Sequence, residues 1–467
     1  MNKSIIFASA LFFVSFAFDE VQFVKNFCEE KDSRIECRNF SFIEEDLKDF
    51  AERVFIISKA TEVLINGDIK FLNEHLFEKF PDAESFELES NESVSYELRK
   101  PFERPKPIIF ESRIRILIIG NSRVENLENS TSFHTLTELE IFKIALSKYK
   151  DFKTKLKIDD SLLEKNSKLK NLNIITSNIE TITEGAFRNL EELETLILKN
   201  NHLSYFQPKT FQYQTNIKTL DISENLIKYL GLGSFWPSSL LVLNLSGNKV
   251  ESITKNHLKN LSNLKSLDIS YNAIRLLSRN AFASNTKIQT INLKNNQIDE
   301  IRAFRNLETL VDLDFSNNDV ETLQGDLFSN CRSLKTLNLK NNTIRIIFSA
   351  FNPELISLDL SLNKIQYLQG FEFNGLTSLT HLDISDNVLR KMGAYIPAIK
   401  LGTFSDLESL IELRLNYNFL EIDDIFRTLL QNMGKLEKFH LNGNGEFNFE
   451  DDVFDDLVSL EYLNYER

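Results

Sequence analysis

The chain has 467 residues, of which 42% are hydrophobic and 26% are charged, so it has enough apolar material for a large folded core. Its 68 Asp and Glu residues outnumber its 54 Lys and Arg residues, for a formal net charge of -14. This acidity argues against nucleic acid and against an anionic membrane surface as partners. Only three cysteines and six histidines occur, scattered singly, which disfavours zinc sites and a Cys/His active site. We therefore expect no metal and no cofactor.

The first predicted element is residues 1–17. One charge, Lys3, precedes an apolar run from Ile5 to Phe16, with the small residues Ser15 and Ala17 near its end. This layout predicts a secretory signal peptide cleaved after Ala17, with a buried N-terminal helix as the alternative. No later stretch offers the run of about eighteen apolar residues that a membrane-spanning helix needs. We therefore expect a secreted, extracellular protein without membrane insertion.

Residues 18–59 form the second predicted element, an N-terminal cap. Cys28 and Cys37 lie in it, and two cysteines in one segment of a secreted chain typically form a disulfide. Such a bond would help to seal the exposed end of a stacked array. Cys331 stands alone, and we expect a buried free thiol because cysteine packs as a small apolar residue. An intermolecular disulfide through Cys331 is the alternative.

Residues 60–467 repeat one pattern, L-x-x-L-x-L-x-x-N-x-L. The copies are irregular to about residue 168 and regular from residue 169, which gives about fifteen coils with an incomplete last one. Successive asparagines lie about 24 residues apart, but Asn387 and Asn418 are 31 residues apart. We expect the segment from Arg390 to Pro397 to loop out of the stack there.

Each repeat predicts one short strand. Alternation at L-x-L turns the apolar side chains inward, and stacked copies make a parallel sheet with strands about 4.8 Å apart. The asparagine carries donor and acceptor groups that can satisfy the backbone of the turn leaving the sheet. The predicted structural asparagine ladder consists of Asn201, Asn225, Asn248, Asn272, Asn296, Asn318, Asn342, Asn363, Asn387, Asn418 and Asn444.

Phenylalanine recurs ten residues after the asparagine position, for example at Phe187, Phe282, Phe328 and Phe373. Because this spacing follows the period of the core, we expect the rings to fill the return half of each coil. A box for an aromatic ligand is the alternative. The expected fold class is an α/β solenoid with a parallel β-sheet on the concave face and short irregular or 3-10 segments on the convex face.

The repeat resembles the extracellular leucine-rich-repeat family, in its 24-residue typical class. The segment Ile182 to Leu190, I-T-E-G-A-F-R-N-L, looks like the linker of that family, and the resemblance implies a horseshoe that binds proteins. The N-terminal piece, with Cys28 and Cys37, is similar to secreted dipteran haemolymph leucine-rich-repeat immune proteins. Those proteins carry C-terminal cysteines and a coiled coil, whereas no cysteine follows Cys331 and no apolar heptads are sustained near the end of this chain.

Asn-x-Ser/Thr sequons occur outside the predicted signal peptide. In a secreted chain they predict N-glycosylation, although sequons also arise by chance. The predicted glycosylation sites are Asn39, Asn91, Asn129, Asn244, Asn260 and Asn341.

The outward positions of the strands are the candidate binding surface. The position between the two inner leucines is mostly Asp or Asn, for example Asp268, Asn292 and Asp314. We interpret these residues as part of the repeat rather than as an acidic binding stripe or a cation ladder, because parallel strands keep them apart. Towards the C-terminus other residue types appear, and Arg and Tyr are enriched at interface hot spots. The hypothetical partner-binding patch is Leu362, His381, Arg414, Tyr417, His440 and Tyr462, with sequence drift as the alternative.

No G-x-S-x-G, H-E-x-x-H or phosphate-binding glycine-rich loop occurs, so we expect no enzymatic activity. The predicted function is a secreted protein-binding module, an innate-immune recognition or carrier protein of insect body fluid. Its partners would be components of a pathogen surface or of an immune complex. The alternatives are a cell-adhesion or extracellular-matrix protein and a tight enzyme inhibitor. A strand pattern begins at Leu460, Leu463 and Tyr465 and stops two residues later. This predicts either an incomplete gene product or an exposed strand edge that another chain covers, as in a dimer through the C-terminal edge.

Overall fold

A computed structural model describes part of the N-terminal region and most of the remainder. The described residues are 28–31, 34–42, 62–69, 71–72, 83–89, 95–98, 115–125, 136–146 and 156–465, except for 208, 232–236, 305–306, 326, 329, 349–350, 393–396, 422–424 and 446–452. The chain forms two compact units, which are residues 1–226 with 235–240 and residues 227–234 with 241–467. The predicted signal peptide and the sequons at Asn91 and Asn129 lie outside the described residues.

The described residues of the first unit form strands and turns. Its described strands are β1 (Cys28–Lys31), β2 (Arg34–Phe42), β3 (Glu62–Ile69), β4 (Phe71–Leu72), β5 (Ser85–Glu89), β6 (Ser95–Leu98), β7 (Ile116–Glu125), β8 (Ile141–Leu146), β9 (Leu156–Ile158), β10 (Asn171–Ile175), β11 (Ile179–Ile182), β12 (Thr195–Ile197) and β13 (Thr219–Asp221). Parallel pairing runs from β2 through β3, β5, β7, β8, β10 and β12 to β13. Parallel order therefore begins at β2, within the segment expected to form the cap.

The antiparallel hairpin β1–β2 precedes this parallel sheet. Its register places Cys28 directly opposite Cys37. Residues directly opposite in an antiparallel pair have Cα atoms about 4.5 to 5.5 Å apart, and a disulfide accepts that separation. The strand register therefore supports the predicted Cys28–Cys37 bond, which stays a prediction.

Each coil of the second unit contributes one strand to the main sheet, some coils add a second short strand, and the described residues include two short helices. Its described elements are β14 (Val242–Asn244), β15 (Ser252–Ile253), α1 (Lys255–Leu258), β16 (Ser266–Asp268), β17 (Leu276–Leu277), β18 (Thr290–Asn292), β19 (Asp312–Asp314), β20 (Thr322–Leu323), β21 (Thr336–Asn338), β22 (Ile346–Ile347), β23 (Ser357–Asp359), β24 (His381–Asp383), β25 (Glu412–Arg414), α2 (Ile425–Leu429), β26 (Lys438–His440) and β27 (Tyr462–Asn464). The predicted parallel-sheet solenoid of stacked coils is confirmed. Among the described residues, no helix is long and apolar enough to cross a membrane.

The three-residue strands of the main sheet in the second unit pair in strict register. In β14, β16 and β18 the central residues Leu243, Leu267 and Ile291 lie side by side and are buried. Side chains alternate between the two faces of a strand, so the first and third residues of each strand point away from the core. We call these first and third positions the strand face.

The asparagine side chains join neighbouring coils. Asn363 donates from Nδ2 to the carbonyl of Leu339 at 3.0 Å in the preceding coil and to that of Leu360 at 2.9 Å in its own coil. Its Oδ1 accepts the N–H of Ile344, also in the preceding coil, at 3.0 Å. The residue before each ladder asparagine is in the left-handed region, as at Asn341 with φ 51°. One side chain thus satisfies backbone groups on both sides of the turn.

Phenylalanine rings stack through the return segments. Phe304 lies between Phe282 and Phe328, with ring centroids 5.6 and 6.0 Å away, and all three rings are buried. Cys331 packs beside them as a buried free thiol, and its Sγ lies 3.1 Å from the carbonyl oxygen of Phe304. Burial raises the pKa of this thiol to about 12. The phenylalanine spacing therefore serves the core, and Cys331 is not poised as a thiolate.

Candidate functional site

The candidate site lies on the strand face of the second unit, where β24 to β27 pair side by side. In this register His381, Glu412, Lys438 and Tyr462 occupy neighbouring first positions, and Asp383, Arg414, His440 and Asn464 occupy neighbouring third positions. Four of the six residues of the predicted patch, His381, Arg414, His440 and Tyr462, thus come together on adjacent strands.

In the strands before β25, the side chain at the third position accepts a hydrogen bond from the backbone of the turn that follows the strand. At Asp314, for example, Oδ1 accepts the backbone N–H of Ser316 at 2.9 Å, and Asp383 does the same for Ser385 at 2.9 Å. The residues of the second unit that make this bond are Asn244, Asp268, Asn292, Asp314, Asn338, Asp359 and Asp383. These carboxylates and amides therefore act on the backbone of their own coils.

Arg414 and His440 interrupt this column. An arginine side chain has no acceptor atom, so Arg414 cannot bond the turn as Asp383 does. The turn after β26 is held from the preceding coil, because Asn416 Oδ1 accepts the N–H of Asn442 at 2.8 Å. The side chains of Arg414 and His440 both contact Glu412 instead.

Glu412 is the centre of the site, although it was not among the predicted residues. Its Oε1 accepts from Arg414 Nε at 2.8 Å and lies 2.7 Å from Arg414 Nη2. The same oxygen lies 3.1 Å from His440 Nε2, and Oε2 lies 3.9 Å from His381 Nε2. One carboxylate thus gathers side chains from three strands. Glu412 lies two residues before Arg414, at the other outward position of β25. This spacing is the sequence signal that could have identified Glu412.

The pKa values follow from this clustering. Burial raises the pKa of Glu412, but the hydrogen bond and charge of Arg414, with the charges of His440 and Lys438, bring it below its ordinary value. The pKa of Arg414 is raised, chiefly by its hydrogen bond to Glu412. Burial and the charge of Arg414 lower the pKa of His440 against the opposing effect of Glu412. At neutral pH the cluster therefore contains an ionised Glu412 and Arg414 with a largely neutral His440.

Two tyrosines border the cluster. The ring of Tyr462 lies 5.0 Å from that of His440, measured between centroids, and Tyr462 is 44% exposed. Tyr417 is 59% exposed. Glycine at position 443 gives its ring room, since a Cβ there would lie 2.4 Å from Tyr417 Cδ1. Aromatic area of this kind beside a charged group is typical of interface hot spots.

The structure corrects the expected placement of Leu362 and Tyr417. Neither lies on a strand. Both occupy the left-handed turn position that precedes a ladder asparagine, with φ 56° and 51°, and Asp386 fills the same position in the coil between them. Tyr417 lies in the turn after β25, whereas Leu362 lies in the turn after β23, two coils away. Leu362 is therefore exposed beside the strand face but lies apart from the Glu412 cluster.

The expected loop from Arg390 to Pro397 is shorter than predicted. Arg390 forms a parallel bridge with Phe419, and its N–H bonds the carbonyl of Gln366 at 3.1 Å, so it belongs to the stack. Ile399 pairs with Leu368 just beyond the predicted loop. Of the seven surplus residues, those at 393–396 lie outside the described part of the chain.

The predicted sequons occupy different settings. Asn39 lies in β2. Asn244 is half-buried on β14, where its Oδ1 accepts from the N–H and hydroxyl of Ser246. Asn260 is half-buried after α1, and Asn341 is exposed, with its Nδ2 donating to Asn317 at 2.7 Å. Glycosylation at these positions stays a prediction.

Among the described residues, no group of three or more His, Cys, Asp or Glu side chains could hold a metal ion. Within the Glu412 cluster, the carboxylate is bound by cationic and imidazole groups instead. The arrangement can offer N–H donors and aromatic surface to a partner.

Comparison with known proteins agrees with this architecture. A family profile described as leucine rich repeat matches residues 151–203, 191–250 and 238–298. A profile described as BspA type leucine rich repeat region matches residues 277–396. Together these matches run without a break from residue 151 to residue 396, which is more than half of the chain. The chain belongs to the leucine-rich-repeat family.

Members of this family with local sequence similarity include two vertebrate proteins. Keratocan of Mus musculus is 29% identical over 164 residues, which are 31% of this chain and 46% of keratocan. Nephrocan of Mus musculus is 26% identical over 135 residues, which are 29% of this chain and 21% of nephrocan. The chain thus spans less than half the length of the curated relatives it matches.

Solved structures share the fold over more of the chain. A leucine-rich-repeat protein of Leptospira interrogans has a TM-score of 0.60 at 19% identity, covering 91% of this chain and 98% of its own. The mouse RP105/MD-1 complex has a TM-score of 0.62 at 19% identity, covering 86% and 67%. The LRIM1/APL1C complex has a TM-score of 0.58 at 17% identity, covering 92% and 72%. At these identities the likeness is one of fold alone.

Proposed function

We propose that this leucine-rich-repeat protein is secreted and binds a protein partner through the strand face at β24 to β27. The observation that carries the proposal is the change at β25, where the side chain of Arg414 no longer bonds a turn but joins a cluster around Glu412. His440 and Tyr462 extend the cluster across β26 and β27. Interfaces draw most of their binding energy from a few central Arg, Tyr and Trp residues. This face provides Arg414 and Tyr462, and Tyr417 lies in the turn that follows β25.

The proposed role is innate-immune recognition or transport in insect body fluid. It rests on the resemblance of the N-terminal piece around Cys28 and Cys37 to dipteran immune proteins, and the fold shared with the LRIM1/APL1C complex is compatible with it. The alternative is a cell-adhesion or extracellular-matrix protein, which the similarity to keratocan and nephrocan favours. A partner recovered from circulating fluid would support the first role, and a partner embedded in matrix or in a cell surface would support the second.

Secretion implies covalent modifications that change the mass of the protein. We expect cleavage after Ala17, a disulfide between Cys28 and Cys37, and glycans on some of the six sequons. Intact-mass measurement of the secreted protein, before and after enzymatic deglycosylation and with and without reductant and alkylation, tests all three. An uncleaved N-terminus and two free thiols in the N-terminal segment would contradict the proposed compartment.

Photo-crosslinking at Tyr417 tests the proposed binding face. The full-length secreted protein, with the photoreactive substitution Tyr417→p-benzoylphenylalanine, is irradiated in native extracellular fluid. Tyr271 supplies a matched control, because it has the same left-handed turn geometry, φ 53° against 51°, and the same exposure, 58% against 59%. The proposal predicts a discrete adduct from position 417, removed by excess unlabelled protein. Equal adducts from positions 271 and 417, or none from 417, would contradict it.

A further inference from the structure

We infer that the strand face at β24 to β27 recognises an acidic segment of its protein partner, a sequence rich in Asp or Glu. This inference rests on the proposed function and adds the chemistry of the ligand to it. The observations that support it are the distribution of charge along the strand face, the covering of Glu412 and the donor groups that remain exposed.

Charge changes abruptly along the strand face of the second unit. The first and third positions of β14, β16, β18, β19, β21, β23 and β24 hold no Lys or Arg, but they hold the acidic residues Asp268, Asp312, Asp314, Asp359 and Asp383. Lysine and arginine first occur in these positions at Arg414 on β25 and Lys438 on β26. The acidic residues up to Asp383 repel an acidic ligand, whereas Arg414 and Lys438 attract it, which places its carboxylates at β25 and β26.

The acidic member of the cluster is covered by its neighbours. The side chain of Glu412 is only 14% exposed, whereas those of Arg414 and His381 are 47% and 52% exposed, and Lys438 is exposed as well. A ligand approaching this face therefore meets N–H groups before it meets the carboxylate. Glu412 also holds the guanidinium in place through Nε and Nη2, so less side-chain freedom is lost when a ligand binds.

The donor geometry suits carboxylates. A guanidinium has five N–H donors, and the bonds of Arg414 to Glu412 leave Nη1 for the ligand. Lys438 lies in the neighbouring strand, on the same side of the sheet as Arg414, so two carboxylates of one peptide can each meet a cation. Tyr462 lies beside Lys438 in the register of the first strand positions, and its apolar area lowers the local dielectric and strengthens the ion pairs.

A direct test uses a fluorescently labelled decaglutamate peptide as the probe and fluorescence anisotropy as the readout, with the full-length protein in low salt at about pH 7. The variant Arg414→Gln/Lys438→Gln removes both cations but keeps polar side chains. The control Lys294→Gln/Lys340→Gln removes the same charge from two turn residues that follow β18 and β21. Melting temperatures of all three proteins are compared first, so that a loss of fold is recognised.

We expect saturable decaglutamate binding by the wild type and the control, weakened about tenfold or more in Arg414→Gln/Lys438→Gln. We also expect high salt to abolish binding by the wild type, because exposed charges are screened. Should Arg414→Gln/Lys438→Gln not fold, the single variant Lys438→Gln replaces it, with a several-fold loss expected. Absence of wild-type binding, or an equal loss in the lysine control, would overturn the inference.

An oligothymidylate of the same length distinguishes a peptide site from a general polyanion site. We expect weaker binding of the oligonucleotide than of decaglutamate. Equal or tighter oligonucleotide binding that also depends on Arg414 and Lys438 would overturn recognition of an acidic peptide. Failure of the decaglutamate test would leave the crosslink from position 417 unaffected, because a partner could still bind through the tyrosines. The two proposals therefore fail separately.

Discussion

At the scale of single residues, the most demanding position is the ladder asparagine. Asn363 is buried, and its one amide group bonds four backbone groups in two coils. No other side chain of similar size offers two donors and an acceptor in this geometry. Replacing it leaves buried backbone groups without partners, and that loss costs more free energy than the bonds contribute on average.

We predict that Asn363→Ala lowers the free energy of unfolding by about 3 kcal/mol, from several unsatisfied buried groups. The adjacent exposed Lys364→Ala should change it by less than about 0.5 kcal/mol. Urea unfolding monitored by circular dichroism measures both. A neutral effect of Asn363→Ala would mean that water or a shifted backbone replaces the amide.

Glu412 gives the stability of the site a pH dependence. Its folded-state pKa is lowered, so its ionised form stabilises the fold above its unfolded pKa of about 4.3. This contribution is lost as the pH falls through the folded value. We predict that Glu412→Gln is less stable than the wild type at neutral pH by about 1 kcal/mol. The difference should vanish in acid.

Urea midpoints of both proteins measured across the acidic range check this prediction. The conservative Arg414→Lys variant is a useful control, because it retains a cation near Glu412 but loses the paired bonds from Nε and Nη2. A constant difference between wild type and Glu412→Gln at every pH would show that the effect comes from packing and not from ionisation.

At the scale of elements, the strands were predictable because one physical rule, the alternation of side chains between two faces, accounts for their pattern. Alternation at Leu196 and Leu198 turns both side chains inward, and β12 forms there with its central Leu196 buried. Strand pairing then follows from the repeat, because one coil cannot bury its apolar face alone.

The candidate site was predicted only in part, for reasons that are also geometric. Arg414 and His440 depart from the Asp/Asn column and were visible as exceptions, while Glu412 is an ordinary polar residue at a variable position. Its role depends on side-chain reach across three strands, which a one-dimensional pattern does not record. The sequence pattern placed Leu362 and Tyr417 on the strand face, but both lie in a left-handed turn, where the alternation of side chains along the strand no longer applies.

The phenylalanine column should dominate the stability of the return segments. Phe304 is buried between Phe282 and Phe328, so Phe304→Ala leaves a large cavity. We predict a loss of about 4 kcal/mol in the free energy of unfolding. Phe348→Ala, at an exposed ring in the same unit, should cost much less. Thermal unfolding compares the two, and equal losses would contradict the assignment of the column to the core.

At the scale of the whole molecule, stabilising bonds pass between neighbouring coils. Each ladder asparagine bonds its own coil and the preceding one, as Asn387 does with Ile384 and Leu360. In such arrays stability is close to a sum of nearest-neighbour terms. Changing outward side chains at β25 and β26 should therefore leave the remainder of the second unit intact, so binding and folding can be measured separately.

The central claim is that the face around Glu412 binds the partner, and one measurement tests it most directly. The partner captured at position 417 is titrated against the wild type, Arg414→Ala/Tyr417→Ala, and the control Arg345→Ala/Tyr271→Ala by calorimetry, with the melting temperature of each protein recorded. We predict at least about a hundredfold loss of affinity for Arg414→Ala/Tyr417→Ala, with an unchanged affinity for the control and nearly equal melting temperatures. Unchanged affinity in Arg414→Ala/Tyr417→Ala, or a loss that parallels its melting temperature, would contradict the claim.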